Sequence, residues 1–246
     1  MDLLLQQVSH KFGSAQPWVL SEISLDIASG TFVCVVGPTS SGKSTLLSLF
    51  GGQLIPAVGV VTRTAPSALG NNSARIGHLF QDPCLLPRTS LAENLRLVAP
   101  AEKQDAVEAT LGELGLGAMA DRRPDTLSLL DQQRASLARA MIVQPGLLLM
   151  DESLASLDEA GRSALMADIV TLWQRYRFTV IYVTHSLREA TLLGQKVVVL
   201  SPRPGRVLRV AQIDIPISER SQTHRPLIAL QRSLWESYSS GRAGTA

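Results

Sequence analysis

The segment Gly37-Pro38-Thr39-Ser40-Ser41-Gly42-Lys43-Ser44-Thr45 has the composition and spacing of a loop that cradles phosphates. A short apolar run rich in β-branched residues, 31–36, precedes it, and Leu46 to Phe50 suits a helix. Backbone N–H groups of such a turn point at phosphate oxygens, and the dipole of the following helix favours negative charge there. Lys43 then reaches the β and γ phosphates as a point charge, while the Ser44 hydroxyl meets magnesium. Further along, the run Leu147 to Met150 ends in Asp151 and Glu152. That ending puts two carboxylates at the C-terminal edge of a sheet, where open α/β sheets bind their ligands. Asp151 is expected to hold magnesium, directly or through water, and Glu152 to act as general base toward an attacking water. A second apolar run, 179–184, ends at His185. If its strand neighbours the one before the phosphate loop, His185 reaches the γ-phosphate. Gln81 follows a further strand and is placed to touch both magnesium and the water. Taken singly, these segments also read as a chance Ser/Gly-rich loop, a solvated acidic turn and a structural histidine; their combination is what points to nucleotide chemistry.

Elements that hold such groups need a sizeable core. The chain has 246 residues, 45% hydrophobic and 4% aromatic, enough for one large α/β domain or a core with a smaller lobe. A net charge of +2 without a basic block argues against a nucleic-acid partner. Cys34 and Cys84 form neither a zinc set nor a disulfide framework, which fits a reducing cytoplasm. The N-terminal residues lack the basic region of a signal peptide, and no apolar stretch approaches the ~20 residues of a membrane helix.

Residues 3–8 and 19–27 alternate as an antiparallel strand pair. Glycine and proline break 51–70 into short strands and turns. Residues 75–80 form another strand, and from 90 to 143 helical spacing takes over, as in Leu91, Leu95 and Val98. An amphipathic helix spans 159–175, and 196–200 with 206–210 suggest a closing hairpin. The Ser-, Gly- and Ala-rich end, 236–246, reads as an unstructured tail.

At this point the residues resemble a known family, the nucleotide-binding subunits of ABC transporters. The order is similar throughout: phosphate loop at 37–45, glutamine loop at Gln81, signature region at 127–134, Walker B at 147–152, D-loop at Ser156-Leu157-Asp158 and switch histidine His185. Roughly 110 residues separate Lys43 from Asp151, as in that family. The segments 80–87, 183–190 and 200–207, with Leu234-Trp235-Glu236, look like the nitrate, sulfonate and taurine importer group. The resemblance implies a P-loop NTPase (RecA-like) α/β core with an antiparallel β subdomain and an inserted helical lobe. Its boundaries are a core of 1–86 and 144–215, a lobe of 87–143 and an extension of 216–235. It also implies ATP and Mg2+ as cofactors, a second ABC ATPase subunit in a homo- or heterodimer, and a transmembrane permease. The resemblance further implies a solute-binding protein acting indirectly and a place for the subunit on the cytoplasmic face of the membrane. Phe12 is the residue expected to stack on adenine, with Trp18 the other aromatic available and a packed core phenylalanine the competing reading; stacking accepts either purine. Import, and the small anionic cargo, follow from the resemblance and not from any residue's chemistry. A regulatory nucleotide binder, or a soluble ABC-type ATPase of low turnover, is the alternative.

One motif departs from the family. Its signature reads Leu-Ser-Gly-Gly-Gln, whereas this chain has Leu127-Ser128-Leu129-Leu130-Asp131. In the family this loop opens a helix whose N-terminus meets the γ-phosphate held by the opposite subunit, with Ser128 as the matching contact. Two leucines remove the close backbone approach that glycine permits. Asp131 is expected to form a capping box with Ser128, closing the helix on itself. At ~6 Å and an effective dielectric of ~20, its charge would repel a phosphate charge by roughly 3 kcal/mol. With a lost charge-assisted hydrogen bond of about 1.5–3 kcal/mol, binding across the dimer would fall several hundredfold or more.

Overall fold

Inward and outward side chains alternate from the first strand onward, which sets the layout of the N-terminal sheet. The computed structural model describes residues 1–65, 75–221 and 223–243. In chain order the elements are β1 (Asp2–His10), β2 (Leu20–Ile27), β3 (Phe32–Val36), α1 (Lys43–Gly51) and β4 (Val58–Thr64). There follow β5 (Ile76–Leu79), α2 (Leu91–Arg96), α3 (Val107–Glu113), α4 (Leu129–Met141), β6 (Leu147–Asp151) and α5 (Glu159–Tyr176). The chain closes with β7 (Thr179–Thr184), α6 (Leu187–Leu193), β8 (Lys196–Leu200), β9 (Val207–Gln212) and α7 (Arg225–Ala243). Two compact units result, Met1–Thr64 with Thr179–Ala246, and Ala65–Phe178.

In the first unit β1 lies between β2 and β4, antiparallel to both, with Leu3 opposite Ile27 on one side and Arg63 on the other. Leu3 and Leu5 are buried while Leu4 and Gln6 face out, the period-2 pattern of a half-buried sheet. In the described part of 51–70 a turn leads from α1 into the strand β4; residues 66–70 lie outside the described residues. β3 is buried at all five positions, as a parallel strand covered on both faces must be. It pairs in parallel with β7 and with β8, and β8 turns antiparallel into β9 as the expected hairpin.

The unstructured tail expected for 236–246 is corrected, because α7 runs on to Ala243; residues 244–246 lie outside the described residues. Leu227 and Leu234, two turns apart, are fully buried and dock that helix. Gln231 Nε2 donates to Thr191 Oγ1 at 2.7 Å, and the Arg209 guanidinium donates to the Ser233 hydroxyl at 2.6 Å. A polar, Ser-rich composition hid a helix whose burial depends on two leucines.

In the second unit β5 runs parallel to β6, Ile76 opposite Leu147 and Leu79 opposite Met150. The compact units cut the chain at different places from the expected core and lobe. β5, β6 and α5 group with the helices of 91–141, because α4 is tied by side chains to the segment after β5. Gln133 Nε2 donates to the Gln81 carbonyl at 2.6 Å, and Arg139 donates to the carbonyls of Cys84 at 2.6 Å and Pro83 at 3.0 Å.

Candidate functional site

Within the first unit, β3 delivers the chain straight into the phosphate loop. Ser40 and Gly42 take left-handed φ values of 64° and 89°, so the loop curls back before α1 begins at Lys43. Glycine is required at 42: besides its φ, a Cβ would stand 2.7 Å from Leu20 Cδ2. α1 opens without a side-chain cap and without an acid in its first turn. By contrast α2, α4, α5 and α6 are capped by Ser90, Ser128, Asp158 and Ser186. No side chain caps the start of α1, where the helix dipole favours an anionic ligand. Lys43 is buried, and its Nζ donates to the loop carbonyls of Gly37 at 3.0 Å and Pro38 at 2.8 Å, holding the ammonium over the loop. The Ser41 hydroxyl is buried with no partner among the described residues, a polar atom suited to a phosphate oxygen. Ser44 is exposed at the first turn of α1, and Thr45 is half-buried.

His185 stands where the strand order was expected to put it. Val36 of β3 and Thr184 of β7 are register partners, so His185 and the loop residue Gly37 leave adjacent strands at the same level. The imidazole is exposed. Phe12, just past β1, is 64% exposed and makes an edge contact with His10 at 5.0 Å between ring centres. It is not a core phenylalanine. Trp18, 37% exposed, has Lys11 Nζ 5.0 Å from its ring centre.

One support in this unit went unread as part of a site. Gly205, in the turn between β8 and β9, donates its N–H to the Val19 carbonyl at 2.8 Å and packs against the phosphate loop. A Cβ there would lie 2.1 Å from the Ser41 carbonyl oxygen. The Pro204-Gly205 dipeptide was the available signal, but it names a turn and not the surface the turn meets.

In the second unit Asp151 ends β6 half-buried, and Glu152 follows it with φ 47°. A residue with a side chain enters that region at a cost of about 1–3 kcal/mol, and such strain clusters at functional sites. Gln81 is exposed two residues beyond β5, its carbonyl held by Gln133 and by the Ser156 hydroxyl at 3.3 Å. Gln133 and Arg139 of α4 fix the 80–84 segment through its carbonyls, a role with no signature in spacing. In the D-loop, Asp158 caps α5, accepting the Gly161 N–H at 2.8 Å.

The capping box expected at the signature forms only in part. The Ser128 hydroxyl oxygen accepts the Asp131 N–H at 3.2 Å, as expected. The Asp131 carboxylate, however, takes the Ser128 hydroxyl proton at 2.7 Å instead of returning to the Ser128 backbone. Aspartate is one methylene shorter than the glutamate of a full box, which α2 has between Ser90 and Glu93. Leu129 is 40% exposed at the helix start.

The donor set bears on magnesium. In the first unit Ser44 offers a hydroxyl oxygen, and in the second Gln81 offers an amide oxygen and Asp151 a carboxylate, donor types that suit magnesium. No cluster of three His, Cys, Asp or Glu residues occurs among the described residues. Magnesium is commonly held in this way, by one or two carboxylates and the substrate's own phosphates.

The chain is similar to known proteins. The ABC transporter family profile matches residues 20–155. An aliphatic sulfonates import ATP-binding protein, SsuB 2, of Burkholderia cenocepacia is 41% identical over 218 residues, covering 87% of this chain and 79% of its own. The SsuB protein of Escherichia coli K12 is 38% identical over 233 residues, covering 89% and 90%. Among solved structures, the dimeric post-hydrolysis ATP-binding cassette MJ0796 bound to ADP and Pi superposes with a TM-score of 0.70 at 26% identity, covering 87% of this chain and all of that one. CbiO1 of Clostridium perfringens shares the fold, with a TM-score of 0.76 at 24% identity over 94% of this chain and 96% of its own. With its phosphate loop inside the matched span and relatives alike over most of their length, the chain belongs to the ABC transporter family.

Proposed function

We propose that this chain is the ATP-binding and ATP-hydrolysing subunit of a membrane importer of small anionic solutes, working at the cytoplasmic face beside a transmembrane permease. The observation that carries this reading is the α1 N-terminus, uncapped and free of acids, with Lys43 folded over the loop in front of it. A triphosphate tail takes up those N–H groups, and Lys43 exchanges loop carbonyls for β and γ oxygens. Ser44, Gln81 and Asp151 would hold Mg2+, which would supply charge neutralisation at the phosphates. Glu152 accepts a proton from the attacking water, and His185 meets the γ-phosphate, in a reaction that needs positioning more than covalent chemistry. The relatives import aliphatic sulfonates by name, and a sulfonate-type anion is the cargo class we assign. The permease and an external binding protein select it.

Phe12 supplies the adenine platform. Phe12→Ala should raise the KM for ATP by roughly five- to tenfold, the low end of a base–aromatic stack, with kcat little changed. Nucleotide titration checks this, and an unchanged KM would transfer the role to Trp18.

A dimer of cassettes is the form in which ATP binding does work, since ligand that favours the closed state shifts the equilibrium toward it. The altered signature damages only what this chain offers its partner, because Lys43, Ser44, Gln81, Asp151, Glu152 and His185 are all present. We assign it to an asymmetric pair in which a second subunit supplies an intact signature; a homodimer of low activity is the rival. The permease surface is assigned to the segment after Gln81. Leu86 is 48% exposed there, while its backbone is held at both N–H and carbonyl by the buried Asn94 side chain. A pinned backbone presenting an apolar side chain suits docking. Purification from membranes tests the whole reading: a permease should accompany the chain and raise its ATPase rate. Recovery without any membrane partner would favour the regulatory or soluble alternative, for which the altered signature is the specific argument.

A further inference from the structure

A closed ring of hydrogen bonds holds the turn that carries His185, and its charged member has no part in the chemistry above. Glu189 of α6 is only 6% exposed. Its Oε2 accepts from the Tyr182 hydroxyl at 2.6 Å and from the Thr184 hydroxyl at 2.7 Å. Thr184 Oγ1 in turn accepts the Ser186 N–H at 3.1 Å, and Ser186 Oγ accepts the Glu189 N–H at 3.2 Å. Residues 184 and 186 are thereby fixed on either side of His185. Burial raises the Tyr182 phenol and the Cys34 thiol, and in both the Glu189 carboxylate adds to the rise.

Burying a carboxylate is costly unless hydrogen bonds answer it. Helix α6 alone does not require it, because Ser186 already caps that helix. The carboxylate does orient the Thr184 hydroxyl, so that its lone pair meets the Ser186 N–H. That fixes the backbone on both sides of an exposed imidazole level with Gly37. We propose that Glu189 is a positioning residue for His185, holding the 184–186 turn in the one conformation that aims the imidazole at the phosphate loop. This rests on the reading in which His185 meets the γ-phosphate. Loss of the carboxylate releases the Thr184 hydroxyl, the turn relaxes, and the imidazole moves. A shift of about an ångström in a positioned group costs rate more than binding.

The test measures kcat and KM for ATP in the membrane-purified complex. Glu189→Ala and Thr184→Val are each made in the native chain and in a His185→Ala background. Each is expected to lower kcat by about tenfold or more with KM held, and to lower it no further once His185 is gone. Glu189→Gln keeps an acceptor oxygen and should restore most of the rate. If Glu189→Ala does not fold, Thr184→Val carries the same comparison, since it removes only a hydroxyl. Equal losses in both backgrounds, a Gln variant as impaired as Ala, or a wild-type rate for Glu189→Ala with His185→Ala impaired, would each overturn the proposal alone. A His185→Ala complex at full rate would instead remove the role of His185 on which it rests, and the proposal with it.

Discussion

Glu152→Gln leaves ATP binding in place and lowers turnover by about 10²–10⁴-fold, the span that a positioned general base contributes. Binding survives because phosphate contacts are assigned to the 37–45 loop, and the substitution touches none of them. Glutamine keeps the shape of glutamate and can occupy the same left-handed backbone, so the turn after β6, with φ 47° at 152, is preserved. What is lost is basicity: an amide cannot take the proton of the attacking water. Steady-state ATPase assays and nucleotide titration on the same preparation separate the two effects. A loss below about tenfold would mean that hydrolysis does not use this carboxylate as its base. A parallel loss of binding would mean that the residue belongs with the nucleotide contacts instead.

Much of this site was legible because its parts sit where strands end. Five consecutive buried positions in β3, and apolar runs ahead of Asp151 and His185, mark parallel strands covered on both faces, and their C-terminal ends carry the residues to which we assign the chemistry. The adjacency of β3 and β7 entered the sequence reading as a condition, and the strand register meets it, with His185 level with Gly37. Other features left no periodic trace. Glu189 occupies one position in a short helix and reads as a surface acid; only the hydroxyls of Tyr182 and Thr184 converging on it reveal a buried charge. Gly205 reads as a turn, and the 2.1 Å clearance to Ser41 depends on how two distant segments pack. Helix α7 was missed because its composition is polar and, among its described residues, Leu227 and Leu234 are the buried apolar ones. Periodicity reports which face is buried, not what buries it.

Restoring the signature with Leu129→Gly, Leu130→Gly and Asp131→Gln should raise the ATPase rate of this chain assembled with itself by about ten- to hundredfold. Ser128 is spent twice at the start of α4, its oxygen accepting the Asp131 N–H and its proton given to Asp131 Oδ2. A hydroxyl so engaged has no proton for a phosphate oxygen, and the helix end is closed where that of α1 is open. The charge itself matters less than a bare carboxylate would. Asp131 Oδ1 lies 3.7 Å from the Arg134 guanidinium, which also pairs with Asp168 at 2.8 Å. Repulsion is therefore partly answered within the helix, and the expected penalty shrinks from several hundredfold toward the loss of one charge-assisted hydrogen bond. Asp131→Gln alone frees the Ser128 proton and should recover part of the gain; the glycines supply the rest by removing the side chain of Leu129, 40% exposed at the helix start. In an asymmetric pair the same repair would instead act on the partner's nucleotide, leaving hydrolysis of this chain's own ATP unchanged. An unaltered rate in both assemblies would show that the signature loop is not what limits turnover.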